Sequence, residues 1–213
     1  MSAPDVVPLV LAAGAATRMG RPKADLPFGD TTALGLILEA CAAAGLAPAL
    51  VVAGARPDVV RAAAARAGRD ARVVDNPRWA EGRTTSIQAG LRALPAGATA
   101  FALWPVDVCL PGAPVLEALL AARAAAPAAL AWVPSHAGRR GHPALFARAA
   151  APRLLALGPD APARDVVRAL AAEGALVHVE VDDPFVLRDM DTPEDHADLV
   201  RAWQARQAPP PPT

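Results

Sequence analysis

VPLVLAAGAATRMGRPK, residues Val7–Lys23, holds an apolar run that breaks into side chains of almost no volume and then into cations. The run from Val6 to Leu11 has the Val/Leu content and the length of a buried strand. The tiny residues Ala12, Ala13, Gly14, Ala15 and Ala16 follow, then Thr17, Arg18, Gly20 and Lys23. Small side chains let backbone N–H groups approach phosphate oxygens that larger ones would block. Arg18 offers a planar fork to an oxyanion and Lys23 a compact point charge. The pattern is not a Walker A loop, because no GK[ST] follows Gly20, and not GxGxxG, because Gly14 and Gly20 stand too far apart. An ordinary strand-to-helix turn with surface cations is the alternative.

Outward from this loop, short apolar runs alternate with helical segments. Strands are expected at Val6–Leu11, Ala49–Ala53, Arg72–Asp75, Ala98–Pro105, Leu130–Pro134 and Leu176–Val181. Helices are expected at Thr32–Gly45, Asp58–Gly68, Thr84–Leu94, Val115–Ala126, Ala151–Leu157 and Ala163–Glu173. A last helix starts at DTPED, with Thr192 as N-cap, Pro193 at the first helical position and Asp195 closing the reciprocal cap, and runs to about Gln204. The alternation predicts an α/β fold: a single-domain, doubly wound, mostly parallel sheet of Rossmann-like kind. Ala98–Pro105 lacks alternation and reads as a central strand buried on both faces. Residues 1–205 are assigned to the domain and 206–213 to a proline-rich tail expected to be disordered. In such sheets ligands bind beyond the C-terminal ends of the strands, where Gly14–Lys23, Gly54 and Asp107 fall.

The chain has 213 residues, long enough to bury a real core, and 54% of them are hydrophobic, much of that alanine. Formal net charge is zero, with no basic tail or lysine run, which argues against nucleic acid as a partner. Cys41 and Cys109 have no CxxC spacing and read as free thiols of a reducing compartment. With no signal-peptide pattern and no membrane-length apolar stretch, the expected location is the cytoplasm and no membrane partner is expected.

Several motifs together resemble a known family. LAAGAATRMGRPK is similar to the LAAGxSxRMGxxK signature of the MobA/MocA-like NTP transferases, the molybdenum-cofactor nucleotidyltransferases. Asp75–Gly82, with Ser86 and Gly90-Leu91 after it, is similar to the family's NPxWxxGxxxSLxxGL segment. Arg140-Gly141-His142-Pro143 resembles its RxGHP turn, and Asp189–Asp195 its DIDTPED segment. In family order these span about Val6 to Leu199. The resemblance implies a GT-A-like nucleotidyltransferase fold and Mg2+ as cofactor. It implies that Asp107, with Asp191 or less favourably Asp189, holds that metal. It also implies nucleotide contacts from Leu11, Ala12, Ala13, Gly14, Gly82 and Ser86, and charge neutralisation by Arg18 and Lys23.

The neighbours of Asp107, in Pro105-Val106-Asp107-Val108-Cys109-Leu110-Pro111, depart from the family's GDxP pattern. Other readings stay open beside the implied ones. Asp107 can cap the helix after Pro111, and Asp191 can be a helix-cap residue. Ser86 can read a base edge, while Thr84 or Thr85 caps the helix. His142 can line a substrate pocket or stand in a surface turn, and Arg139-Arg140 can meet an anionic substrate or solvent. Cys109 can be reactive or buried and inert. Arg164 has no assigned mechanism.

Within the family LAAG goes with cytidylyl transfer and LAGG with guanylyl transfer, so Ala13 points to CTP. The implied reaction moves an NMP from an NTP to a phosphate monoester, with a molybdopterin-type acceptor and a molybdenum hydroxylase or its maturation factor as protein partner. A sugar- or polyol-phosphate nucleotidyltransferase, or a non-catalytic molybdenum-cofactor binding or maturation partner, is the alternative. A dinucleotide oxidoreductase is disfavoured because GxGxxG is missing.

Overall fold

The structure, a computed structural model, describes residues 5–46 and 48–207. The strands of its main sheet are β1 (Val6–Ala12), β4 (Ala49–Ala53), β5 (Ala71–Asp75), β6 (Ala100–Pro105), β7 (Ala131–His136), β8 (Arg139–Arg140), β9 (Ala144–Ala147) and β10 (Leu176–Glu180). A separate hairpin is formed by β2 (Pro27–Phe28) and β3 (Thr31–Thr32). The order across the main sheet is β10-β7-β9-β6-β1-β4-β5, with β8 paired to β7. β6, β1, β4 and β5 run parallel, and β9 enters antiparallel between β6 and β7. The expected doubly wound, mostly parallel sheet is therefore what the chain adopts, with one reversed strand inside it.

Period-two alternation divides the core between the two faces. On β6, Ala100, Ala102 and Trp104 face one layer, and Phe101 and Leu103 the other. The first layer carries α1 (Ala33–Ala43), α2 (Pro57–Arg66), α4 (Ala113–Ala125) and α7 (Pro193–Gln207). The second carries α3 (Arg83–Arg92), α5 (Ala151–Leu155) and α6 (Arg164–Ala172). Phe101 stacks on Phe146 at 5.4 Å between ring centroids. That contact fastens the reversed strand to the parallel ones.

The local signals act as read. The Thr32 hydroxyl accepts from the Gly35 N–H at 3.1 Å at the start of α1. Before α7, Asp195 accepts from the Asp191 and Thr192 N–H groups at 3.0 and 2.8 Å, and the Thr192 hydroxyl accepts from the Asp195 N–H at 3.2 Å. Most expected elements agree with the observed ones to within two residues.

Two expectations need correction. α7 continues through Arg206 and Gln207, so the tail does not start at 206. Arg206 is held there because it donates to the Leu110 carbonyl at 3.1 Å and to Asp183 at 2.8 Å and covers the Phe185 ring. Residues 208–213, the rest of the expected tail, lie outside the described residues. The second correction adds strands absent from the expected set: β8, β9 and the β2–β3 hairpin. Each is four residues or shorter and acquires its partners only through tertiary pairing. Among the described residues no helix is long and apolar enough to cross a membrane.

Candidate functional site

The C-terminal ends of β1, β4 and β6 open on one edge of the sheet, and the opening loop leaves β1 there. Its backbone N–H groups from Gly14 to Arg18 donate to no protein acceptor among the described residues. A methyl group added at Gly14 would meet no atom within 4 Å. Ala16 holds φ 51°, and its carbonyl accepts from the Met19 and Gly20 N–H groups at 3.1 and 3.0 Å. A non-glycine residue in that region is strained by about 1 kcal/mol, a feature that concentrates at ligand loops. Beyond this bend the chain is anchored by buried Met19, Ala24 and Leu26.

Four charged side chains converge beside the loop. Lys23 donates from Nζ to Asp191 Oδ1 at 2.6 Å and to Asp107 Oδ2 at 3.0 Å. Arg18 donates to the other oxygen of Asp191, Oδ2, at 2.8 Å. The structure thus brings together Arg18, Lys23, Asp107 and Asp191 from three distant parts of the sequence. The Lys23 side chain is only 15% exposed and the two carboxylates 29% each, so these pairs are partly withdrawn from solvent. The Lys23 hydrogen bond, helped by Arg18, holds the Asp191 carboxyl below the usual carboxylate range.

Neither aspartate acts as a helix cap. Gly112 stands before α4 with no side-chain cap, and Thr192 with Asp195 does that work for α7. The β2–β3 hairpin braces this cluster against α7. Phe28 meets His196 at 5.3 Å and Trp203 at 6.3 Å, both edge-on, and a His196 ring nitrogen bonds the Pro27 carbonyl at 2.9 Å.

Asp107 owes its position to its apolar flanks. Val106, Val108, Cys109 and Leu110 are all buried, which leaves the aspartate at the tip of a tight turn. The Val106 N–H donates to the Leu11 carbonyl at 3.1 Å and the Val108 N–H to the Pro105 carbonyl at 3.1 Å. The fully buried Trp104 indole donates to the Val108 carbonyl at 2.7 Å. Sequence reasoning missed Trp104, because only the fold shows where its N–H ends. It also shows how PVDVCLP holds the aspartate without GDxP. Burial pushes the Cys109 thiol up to about 12, so it is inert at neutral pH.

The remaining nucleotide-side candidates take structural positions around the loop. Leu11 is half-buried and lends its carbonyl to the Asp107 turn, while Ala12 and Ala13 are buried. A Cβ on Gly54 would meet the Ala13 carbonyl oxygen at 2.6 Å, Trp79 Cβ at 2.6 Å and Ala13 Cβ at 2.8 Å. The Ala13 methyl is therefore packed beside Gly54, and the Asn76–Gly82 segment leans on the start of the opening loop. Asn76 is buried and donates to the Thr85 and Ser86 hydroxyls at 2.9 and 3.0 Å. Ser86, buried, thus serves this network, and neither threonine caps α3. The Thr84 hydroxyl donates to the Ala161 carbonyl, and the Thr85 hydroxyl to the Gly82 carbonyl at 2.8 Å. Gly82 adopts φ 144°, ψ 156° against Pro159.

His142 lies in the turn between β8 and β9. Its N–H donates to the Val186 carbonyl at 2.8 Å, which clamps the turn before β9 onto residues 184–187. Its Nδ1 is sealed from solvent and has no partner among the described residues. Burial lowers its basicity, against the opposing pull of Asp107 and Asp189 nearby, so the ring is neutral. The surface-turn reading of His142 is thus corrected: the turn is packed. Arg139 and Arg140 are exposed on β8, with Arg140 3.3 Å from His178 Nε2, and Arg164 is exposed at the first turn of α6. None of the three joins the ion cluster.

A family model described as MobA-like NTP transferase domain matches residues 8–175. No curated protein matches the chain. The crystal structure of Rv0371c from Mycobacterium tuberculosis H37Rv is 29% identical, covers 93% of this chain and 99% of its own, and has a TM-score of 0.78. The structure of the same protein in complex with manganese is 29% identical over 93% of this chain and 100% of its own, with a TM-score of 0.72. A nucleotidyl transferase from Methanothermobacter thermautotroptrophicus shares the fold, with 22% identity over 94% of this chain and 98% of its own and a TM-score of 0.79.

Proposed function

Because the chain belongs to the MobA-like NTP transferase domain family, we propose that it transfers a nucleotidyl group from an NTP to a phosphate monoester and releases pyrophosphate. The observation that carries this reading is the Arg18–Lys23–Asp107–Asp191 cluster beside five consecutive amides that have no partner among the described residues. Amides at Gly14–Arg18 suit the oxygens of a triphosphate, and the two cations suit its charge. Met19 and Ala24, buried on either side, hold Lys23 in place before the ligand arrives.

Mg2+ is the metal proposed, and the donor set fits it. Magnesium takes one or two carboxylates and completes its shell with phosphate oxygens and water. Asp107 and Asp191 are two hard oxygen donors brought to a single cation, the Lys23 ammonium. Among the described residues no group of three or more His, Cys, Asp or Glu side chains forms a closed metal cage. Bound there, Mg2+ would supply neutralisation of charge on the reacting phosphates.

The chain's own residues do the rest. Arg18 and Lys23 offset charge on the triphosphate and on the departing pyrophosphate. The attacking phosphate is already an anion, so the neutral His142 is not needed as a base. His142 and the Arg139-Arg140 pair are the side chains proposed to meet the anionic acceptor. Catalysis is then positioning and electrostatic stabilisation.

CTP is the favoured donor on the strength of Ala13, and a molybdopterin-type acceptor is favoured over a sugar or polyol phosphate. Because the Ala13 methyl is packed beside Gly54, its influence on donor choice works through the shape of the loop. Thermal unfolding with CTP, GTP, ATP and UTP, each with and without Mg2+, tests the donor site. A ligand at 100 times its Kd adds about 2.7 kcal/mol. The expected result is a Mg2+-dependent shift for CTP that Asp107→Ala abolishes. Pyrophosphate release with the pterin acceptor completes the assignment. Release only with sugar or polyol phosphates would move the acceptor, and no shift with any nucleotide would leave a non-catalytic maturation partner.

A further inference from the structure

Lys23 is the only lysine in a 213-residue chain that otherwise uses arginine for every basic side chain except histidine. Among the described residues it is also the only side chain that bonds both carboxylates of the cluster, at 2.6 and 3.0 Å. An arginine there would grip carboxylates with a fork and release them poorly. An ammonium is a compact point charge, close to a small metal ion in its demands.

Resting on the metal reading above, we propose that the Lys23 ammonium holds the place between Asp107 and Asp191 that the divalent cation takes. The metal enters only as the ammonium transfers to the nucleotide's phosphates. Lys23 is then the residue that makes metal and nucleotide load together.

Charge bookkeeping supports this. Arg18 and Lys23 balance Asp107 and Asp191, so the cluster is neutral with neither ligand bound. A metal ion alone would have to displace a paired cation. A bare triphosphate would have its oxygens placed against two carboxylates. Arriving together, the metal satisfies the aspartates and the phosphates satisfy Lys23 and Arg18. Arg18, 63% exposed and on the outer oxygen of Asp191, can swing away at little cost. Lys23, 15% exposed, can leave only to a new anion.

The test measures Mn2+ binding by electron paramagnetic resonance, with Mn2+ as the sole ligand. Wild type, Asp107→Asn, Lys23→Met and Lys23→Met/Asp107→Asn are compared. Removing the two ion pairs should let Lys23→Met bind Mn2+ about tenfold tighter than wild type. The added Asp107→Asn should erase that gain. If Lys23→Met binds no tighter while Asp107→Asn alone still weakens Mn2+, the metal site stands and the exchange is refuted. If Asp107→Asn changes nothing in either background, the metal reading itself fails.

A second readout needs no variant. [13Cε]lysine labelling gives a single lysine resonance. At a Mg2+ concentration that saturates in the presence of CTP, Mg2+ alone should leave this signal in place, and Mg2+ with CTP should move it. A signal that moves fully with Mg2+ alone overturns the coupling.

Discussion

Replacing Gly82 by alanine isolates the contact that aims α3 at the opening loop. The residue holds φ 144°, ψ 156°, a region that side chains rarely enter, with a strain of about 1–3 kcal/mol. The new Cβ would also fall 2.2 Å from the Pro159 carbonyl oxygen and 2.9 Å from Asp160 Oδ1. A carbon–oxygen contact relaxes to about 3.3 Å, so the backbone of Pro159 has to retreat by about 1 Å. That retreat breaks the bond from the Thr84 N–H to the Pro159 carbonyl, 3.3 Å long, and adds about 1–3 kcal/mol of overpacking. Lower unfolded-state entropy returns about 0.4–1 kcal/mol. The net loss is about 3 kcal/mol, a large share of a typical domain stability of about 5–15 kcal/mol.

Gly68→Ala is the matched control. Gly68 holds φ 60°, and its Cβ would meet nothing within 4 Å, so only left-handed strain of about 1–2 kcal/mol remains, less the same entropic return. Urea unfolding followed by tryptophan fluorescence, with m unchanged between variants, reads both numbers. A Gly82→Ala loss within about 0.5 kcal/mol of the Gly68→Ala loss would refute the packing argument.

Trp104→Phe removes the donor to the buried Val108 carbonyl and should cost about 1–3 kcal/mol in urea unfolding. It should also shrink the CTP–Mg2+ thermal shift, because the turn that presents Asp107 loosens; a shift of wild-type size would separate Trp104 from the site. For His142, burial holds the folded-state pKa below the unfolded value of about 6.5. The unfolded chain then binds the proton first, so stability is full above about pH 6.5 and falls as pH drops from there toward the folded value. His142→Gln should flatten the change in urea midpoint between pH 7.5 and 5.5, and an equal fall in both proteins would contradict a neutral buried ring.

The alternation of strands and helices was legible because each element declares itself locally. Val and Leu runs mark β1 and β4, and DTPED closes its own reciprocal cap before α7. The four charged residues of the cluster were legible for a different reason. Each stands where the chain leaves a strand or enters a helix, and the doubly wound order carries such positions to one edge. What stayed hidden was non-local. β9 pairs β6 over four residues and β7 over two, and nothing in ALFA distinguishes it from a loop until Phe101 stacks on Phe146. Ser86 looks like a free hydroxyl at a helix start, yet α3 turns Thr84, Thr85, Ser86 and Gln88 inward together. Gln88 donates to the Leu155 and Leu157 carbonyls at 3.1 and 2.9 Å, partners 67 and 69 residues away. The reach of Arg206 to Leu110, which lengthens α7, is of the same kind.

Lys23 meets Asp107 across 84 residues and Asp191 across 168. A chain that has folded only its first strands can present the loop and Asp107 but not the second carboxylate. Occupancy of the site is therefore a certificate of completed folding. A ligand that requires both carboxylates binds the native protein and ignores its unfinished forms, so its supply drains the pool open to proteases. Abundance of the protein in a cell would then rise with the supply of whatever ligand engages both carboxylates.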